Sequence, residues 1–115
     1  MHLQGIKGTN MDLTEAIKQY VEDKIATMEK LVEDFEPTVE VKVEVGKTSN
    51  RQNKGDVFRA EIQMHVPGAD FRAEETGENL YAAIDSVKSQ MKRQITDYKR
   101  KLSDRSQKAV RPGKE

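Results

Sequence analysis

The sequence predicts one α+β domain in the order strand, helix, strand, strand, strand, helix. This is a four-stranded mixed sheet with both helices packed on one face. Three observations carry that prediction. Val39–Val45 and Phe58–Val66 alternate apolar and polar residues with period two, the mark of a half-buried strand. Apolar residues at steps of three and four run from Ile17 to Phe35 and from Leu80 to Leu102, the mark of a helix. Each strand has only one apolar face, so both helices must cover the same side and leave the other wet.

The elements follow in chain order. His2–Lys7 is a short first strand with Leu3 and Ile6 as its apolar residues. Gln4 breaks its alternation, and Gly8-Thr9-Asn10 reads as a turn. Thr14 suits a helix N-cap, and Glu15 places a carboxylate in the first turn, where the helix dipole favours it. Ile17, Val21, Ile25, Met28, Val32 and Phe35 form one apolar stripe of a helix that Glu36-Pro37 stops, because the residue before proline is pushed out of helical conformation. Val39–Val45 is the second strand. Residues 46–55 form a polar loop, long for a hairpin, a length that favours mobility. Phe58–Val66 is the third strand, and Pro67-Gly68 turns the chain. Ala69–Ala73 is a short fourth strand, with Phe71 and Ala73 facing inward. Thr76 or Glu78 opens the last helix, whose stripe is Leu80, Ile84, Val87, Met91, Ile95, Tyr98 and Leu102. Some 25 residues at about 1.5 Å each make a rod of roughly 37 Å. Three successive strands form an antiparallel meander, and the first strand joins it in parallel through the first helix. The domain is thus 1–102, and the polar, basic residues 103–115 read as a disordered tail.

Composition narrows the function. At 115 residues the chain fits one domain and a short appendage. Its longest apolar run, Leu80–Ile84, is far short of the ~20 residues of a membrane span. No basic head precedes an apolar stretch at the N-terminus, so no secretory signal is expected, and the absence of cysteine suits a reducing cytoplasm. The formal net charge is zero, but it is a cancellation. Residues 1–85 hold 10 basic and 17 acidic side chains, and residues 86–115 hold 10 basic and 3 acidic. Two readings of that asymmetry stand side by side: a polyanion-binding region, or a basic, solvated tail.

Catalysis finds no anchor. His65 alternates outward on a strand and reads as a surface histidine; His2 adjoins the terminus. The carboxylates lie mostly on helix faces beside lysines, where solvated pairs account for them. Phosphate-loop and metal-ligand spacings are absent. The expectation is a non-enzymatic protein with no cofactor, no metal, no small-molecule substrate and no membrane partner.

The last helix is the informative element. Lys88, Lys92 and Lys99 fall within about 40° of one another on one flank of its apolar stripe. Arg93 and Arg100 point away from the core, and Lys101 lies on the other flank with Gln94. Cations spaced at one and two turns can follow a phosphate backbone, and arginine can fork to RNA groups. The helix dipole explains basic residues in the last turn only, whereas these cover three turns. The first helix adds Lys18 and Lys24, so the expected binding surface is the cleft between the helices, with those two lysines on one wall. The outward sheet residues Glu40, Lys42, Glu44, Arg59, Glu61, Gln63 and His65 include no aromatic, which argues against base stacking on the sheet.

The segments LTEAIKQYVEDKIATMEKL, NLYAAIDSV and KRQITDYKRKL resemble the ribosome hibernation promoting factor family, which includes the ribosome-associated inhibitor and the sigma-54 modulation proteins. The resemblance covers residues 1 to about 102. It implies binding to the small ribosomal subunit and its rRNA where mRNA and tRNA pass, through basic helix residues, with translation silenced in stress or stationary phase. By position, Lys18, Lys24, Arg93, Lys99 and Lys101 match the family's basic residues. Gln90, Thr27 and Asp97 stand where the family commonly has lysine, and Asn79 replaces a usual aspartate. Long members append a dimerising domain after a linker. This chain ends before such a domain, and its tail is basic where the inhibitor subtype's is acidic, so the resemblance implies a short form. Whether such a factor promotes ribosome pairing or only blocks the channel stays open. So does a general double-stranded RNA binder using the same helices.

Overall fold

The computed structural model describes residues 1–48 and 57–110, the side chains of 105–110 excepted. Strand β1 (His2–Thr9) leads into α1 (Glu15–Ala26), a single helical turn α2 (Glu29–Val32) and a 3-10 turn (Glu33–Phe35). Strands β2 (Glu40–Thr48), β3 (Val57–Val66) and β4 (Ala69–Gly77) follow, and α3 (Leu80–Val110) closes the fold. The sheet order is β1-β2-β3-β4. β1 runs parallel to β2, and the other pairs are antiparallel. This is the predicted architecture.

Alternation sets which face is buried. Val41, Val43 and Val45 of β2, Ala60, Ile62, Met64 and Val66 of β3, and Phe71 and Ala73 of β4 join Ile17, Val21 and Ile25 of α1 and Leu80, Ile84, Val87, Met91 and Ile95 of α3 in one core. Each fully buried apolar side chain contributes about 1.5–3 kcal/mol. Val21, Met91 and Ile95, at 1% exposure or less, are therefore what holds the two helices to the same sheet face.

Several boundaries differ from the prediction, each for a local reason. Gln4 has no partner on β2, because Leu3 faces Val41 while Gly5 faces Lys42. This bulge is why alternation fails there, yet the strand continues to Thr9. The first helix is not continuous to Phe35. Thr27 ends α1, its hydroxyl donating to the Lys24 carbonyl at 2.6 Å, and the chain restarts after Met28. Met28 stays fully buried through the break, so the apolar spacing passes over it. Residues 46–48, predicted as loop, extend β2 opposite Arg59, Phe58 and Val57; the rest of that loop lies outside the described residues. Gly46 is required there: a Cβ would sit 2.7 Å from the Thr9 carbonyl oxygen on β1. β4 runs on to Gly77, not Ala73. Asn79, rather than Thr76 or Glu78, caps α3, its Oδ1 accepting from the Ala82 N–H at 3.1 Å.

The last helix also differs in length: α3 runs to Val110, eight residues past the predicted end at Leu102. The sequence has no proline or glycine between Gly77 and Pro112 to break it. Residues 111–115 lie outside the described residues.

Candidate nucleic-acid interface

α1 and α3 lie side by side on the sheet, and the flanks they turn to each other are set by a small polar cluster. The Tyr20 hydroxyl donates to Asp85 at 2.8 Å, and the Lys24 ammonium stands 3.4 Å from the same carboxylate. Lys24 also lies 4.9 Å from the centre of the Tyr20 ring. The Tyr20 ring meets Tyr81 edge-to-face at 4.7 Å. The hydrogen bond to Asp85, with burial and the carboxylate charge, raises the Tyr20 hydroxyl above the ordinary tyrosine value. The Asp85 carboxylate likewise raises Lys24, holding it as an ammonium.

Asp85 marks the side of α3 that faces α1. At about 100° per residue, Lys88, Lys92 and Lys99 fall within roughly 60° of it. The flank turned toward α1 and α2 is therefore the lysine flank, as the cleft reading required. Lys18 does not share that cleft wall. It is about 120° around α1 from Lys24 and pairs within its own helix, 3.6 Å from Glu15. The two-lysine wall expected from the sequence is a one-lysine wall.

The basic residues of α3 divide by what they touch. Lys99 donates to the Leu31 carbonyl at 2.8 Å and stands 3.8 Å from Asp34, so it ties α2 to α3. Arg100 lies 3.6 Å from Asp97 and is mostly exposed. Lys88, Lys92, Arg93 and Lys101 have no ion pair or hydrogen bond among the described residues. Arg93 and Lys101 are exposed, and Lys88 and Lys92 half-buried. Half-burial fits lysines that lay their carbon stems along the helix while the charge stays wet.

The departures from the family pattern acquire local roles. Gln90 donates to Glu75 of β4 at 2.9 Å and to Ser86 at 3.2 Å, while Gln94 donates to the Arg72 carbonyl at 2.9 Å. That flank of α3 is fastened to the sheet edge. Thr27 terminates α1, and Asn79 caps α3 as well as an aspartate would.

The open sheet face carries a network of paired charges across β2–β4, while Lys42 on the same face has no ion pair or hydrogen bond among the described residues. Arg59 reaches Glu61 at 2.7 Å and also pairs with Glu74, and Arg72 pairs with Glu61 and with Glu74 at 3.0 Å. Glu61 is only 4% exposed. Burial pushes its carboxyl up, but hydrogen bonds from Arg59, Arg72 and Gln63 outweigh that, and the net shift is downward. Glu74 is lowered chiefly by Arg59. His65 is exposed and stands 2.6 Å from Asp70. Among the described residues, no group of His, Asp or Glu could hold a metal ion, and no helix is long and apolar enough to cross a membrane.

The sequence reading missed Tyr20, Tyr81 and Asp85 as part of this site. The spacing Tyr20-x-x-x-Lys24 and Tyr81-x-x-x-Asp85 places each pair on one helix face, which was the available signal.

These features define an α+β domain that presents a helical cation flank beside an aromatic cluster. The family model described as sigma 54 modulation protein / S30EA ribosomal protein matches residues 5–103. The chain belongs to that family. It is 38% identical over 96 residues to a ribosome hibernation promotion factor of Picosynechococcus sp., covering 84% of this chain and 48% of that protein. It is 34% identical over 109 residues to the protein of that name from Lactococcus lactis, covering 94% and 55%. The chain thus spans about half the length of these curated relatives. Among solved structures, the Protein Y N-terminal domain of Thermus thermophilus matches with a TM-score of 0.65 and 31% identity, over 85% of this chain and 99% of that one. A ribosomal subunit interface protein from Coxiella burnetii shares the fold, with a TM-score of 0.63 at 17% identity over 86% and 98%.

Proposed function

We propose that this domain is a non-enzymatic ribosome hibernation factor. It binds the small ribosomal subunit in the channel for mRNA and tRNA and holds translation idle under stress or stationary phase. The observation that carries the reading is the set of cations on α3 that have no partner among the described residues: Lys88, Lys92, Arg93 and Lys101. Unpaired cations can neutralise phosphates without first breaking a protein contact. Membership of the family, and relatives named as hibernation promotion factors, supply the ribosome as the source of those phosphates. Lys24, Lys99 and Arg100 border the same surface and contribute after giving up or sharing their present partners. Lys18 adds charge at a distance.

The test is cosedimentation with small subunits across a salt series, with and without tRNA and mRNA. Four neutralised phosphates give a log–log salt slope of about −3 to −4. Replacing Lys88, Lys92, Arg93 and Lys101 together with glutamine lowers affinity by on the order of 100-fold or more and flattens the slope by roughly one per cation. The melting temperature stays within a degree or two, since none of the four holds a partner among the described residues. Binding that ignores salt, or equal affinity of that variant, overturns the reading. Tight binding to naked duplex RNA without competition from tRNA and mRNA replaces it with a general duplex binder.

A further inference from the structure

Tyr81 is the one large hydrophobic side chain among the described residues that is exposed, at 40%. A single exposed apolar residue is ordinary on a protein surface. Three features set this one apart. Its ring is held, because Tyr20 meets it edge-to-face and Tyr20 is itself anchored by Asp85. An edge-to-face contact covers at most one face of the ring, and 40% of the residue stays open to solvent. Its place is the first turn of α3, on the same stripe as Lys88 and Lys92. Those lysines lie roughly 10 and 16 Å further along the axis.

We infer that Tyr81 is a stacking platform for an unpaired RNA base, with Lys88 and Lys92 taking the phosphates of the adjoining nucleotides. A flat ring beside spaced cations is how proteins hold single-stranded nucleic acid: the ring takes the base and the cations follow the backbone. A duplex keeps its bases stacked on one another and offers no free face to such a ring. Asp85 lies on the same stripe and would repel phosphate if its charge were free. Lys24 and the Tyr20 hydroxyl both engage it, so the stripe stays cationic where the chain would run. The inference rests on the proposed ribosome binding and narrows it to unpaired rRNA, reached by an aromatic on a helix instead of on the sheet.

The experiment compares wild type, Tyr81→Phe and Tyr81→Leu for binding to small subunits and to a single-stranded RNA oligonucleotide, with a duplex of the same sequence as control. Far-UV circular dichroism checks that each variant is folded. Tyr81→Leu lowers affinity on the order of 10-fold for the small subunit and the single strand. Its salt slope is unchanged, because no cation is lost. Tyr81→Phe keeps affinity within about 2-fold, since stacking needs the ring and not the hydroxyl. Ultraviolet cross-linking of unaltered protein to the bound subunit, mapped by mass spectrometry, places a nucleotide on residue 81. Equal affinity of wild type and the leucine variant, equal loss in the phenylalanine variant, or cross-links that avoid residue 81 overturn the inference. If wild type does not bind small subunits, it is the ribosome reading that fails; the single-strand arm still decides the role of Tyr81.

Discussion

The open sheet face and the outer side of α3 are both dense in charge, and they spend it differently. On the sheet, Glu44, Glu61 and Glu74 stand in one row across β2, β3 and β4, with Arg59 and Arg72 laid between them. Each guanidinium there bridges two or three carboxylates. On α3, Lys88, Lys92, Arg93 and Lys101 touch no acidic group among the described residues. A paired cation is already neutralised and held by its partners, so giving it to a phosphate costs the pair. An unpaired cation gives up only water and counterions. Charge density is the same kind of number on both faces; availability is not. The Arg59–Glu61–Arg72–Glu74 network is tied up within the sheet, and α3 is the face we propose as the interface.

That comparison breaks most directly if the two faces are neutralised separately. The largest effect is the one set out above, loss of ribosome affinity when the four α3 cations become glutamine. The mirror variant, Arg59→Gln with Arg72→Gln, leaves the nearly buried Glu61 without its cations. Stability falls by about 1–3 kcal/mol, the cost of a buried polar group stripped of its partners. Affinity for small subunits stays within about 2-fold, from the rule that charges away from an interface contribute little at moderate salt. Chemical denaturation and cosedimentation on the same preparations check both halves. A sheet variant that keeps its stability and loses its binding would reverse the assignment of the two faces.

Lys99 sharpens the boundary between the classes. It lies on the flank we propose as the interface yet donates to Leu31 and approaches Asp34. Lys99→Gln therefore lowers stability by about 0.5–1.5 kcal/mol, the usual net worth of one hydrogen bond, and weakens binding as well. Lys92→Gln, on the same flank, weakens binding alone. Melting and affinity measured side by side separate them. Equal stability of the two variants would mean that the Leu31 contact does not hold α2 in place.

Much of the fold was legible because periodicity reports burial. Val41, Val43, Val45, Ile62 and Met64 alternate because one face of their strands is in the core, and Ile84, Val87, Met91 and Ile95 recur because one side of α3 is. The same fact explains the errors. Met28 is buried whether or not the helix around it is continuous, so the break at Thr27 left no trace in the spacing. Ser103 and Asp104 are exposed on a helix that continues to Val110, so the stripe ended where contact with the core ended. The site was legible as a set of charges and not as a set of partners. Lys24 meets Asp85 across 61 positions and Lys99 meets Leu31 across 68, pairings that only tertiary packing decides. Lys18 and Lys24 looked equivalent for the same reason.

Acid distinguishes the two faces with the smallest effect, since it is absent at neutral pH. The folded protein holds Glu61 and Glu74 below the ordinary glutamate value of about 4.3. For a depressed carboxyl the unfolded chain takes up protons first as pH falls, so the folded state loses stability on acidification. The contribution is complete above about pH 4.3 and is lost as pH drops from there through the lower folded-state values. Glu61→Gln removes one of the two groups and so makes the acid limb of a stability–pH profile shallower. It lowers stability near pH 7 at the same time, because Arg59 and Arg72 lose a partner. Lys88, Lys92, Arg93 and Lys101 have no carboxylate partner among the described residues for acid to protonate, so their glutamine variant follows the acid limb of the unaltered protein. Urea denaturation between pH 3 and 7 on the three proteins reads this directly. A Glu61→Gln limb as steep as wild type would place the acid-sensitive carboxylates somewhere other than the sheet face. A shallower limb in the α3 variant would show those cations to be paired after all.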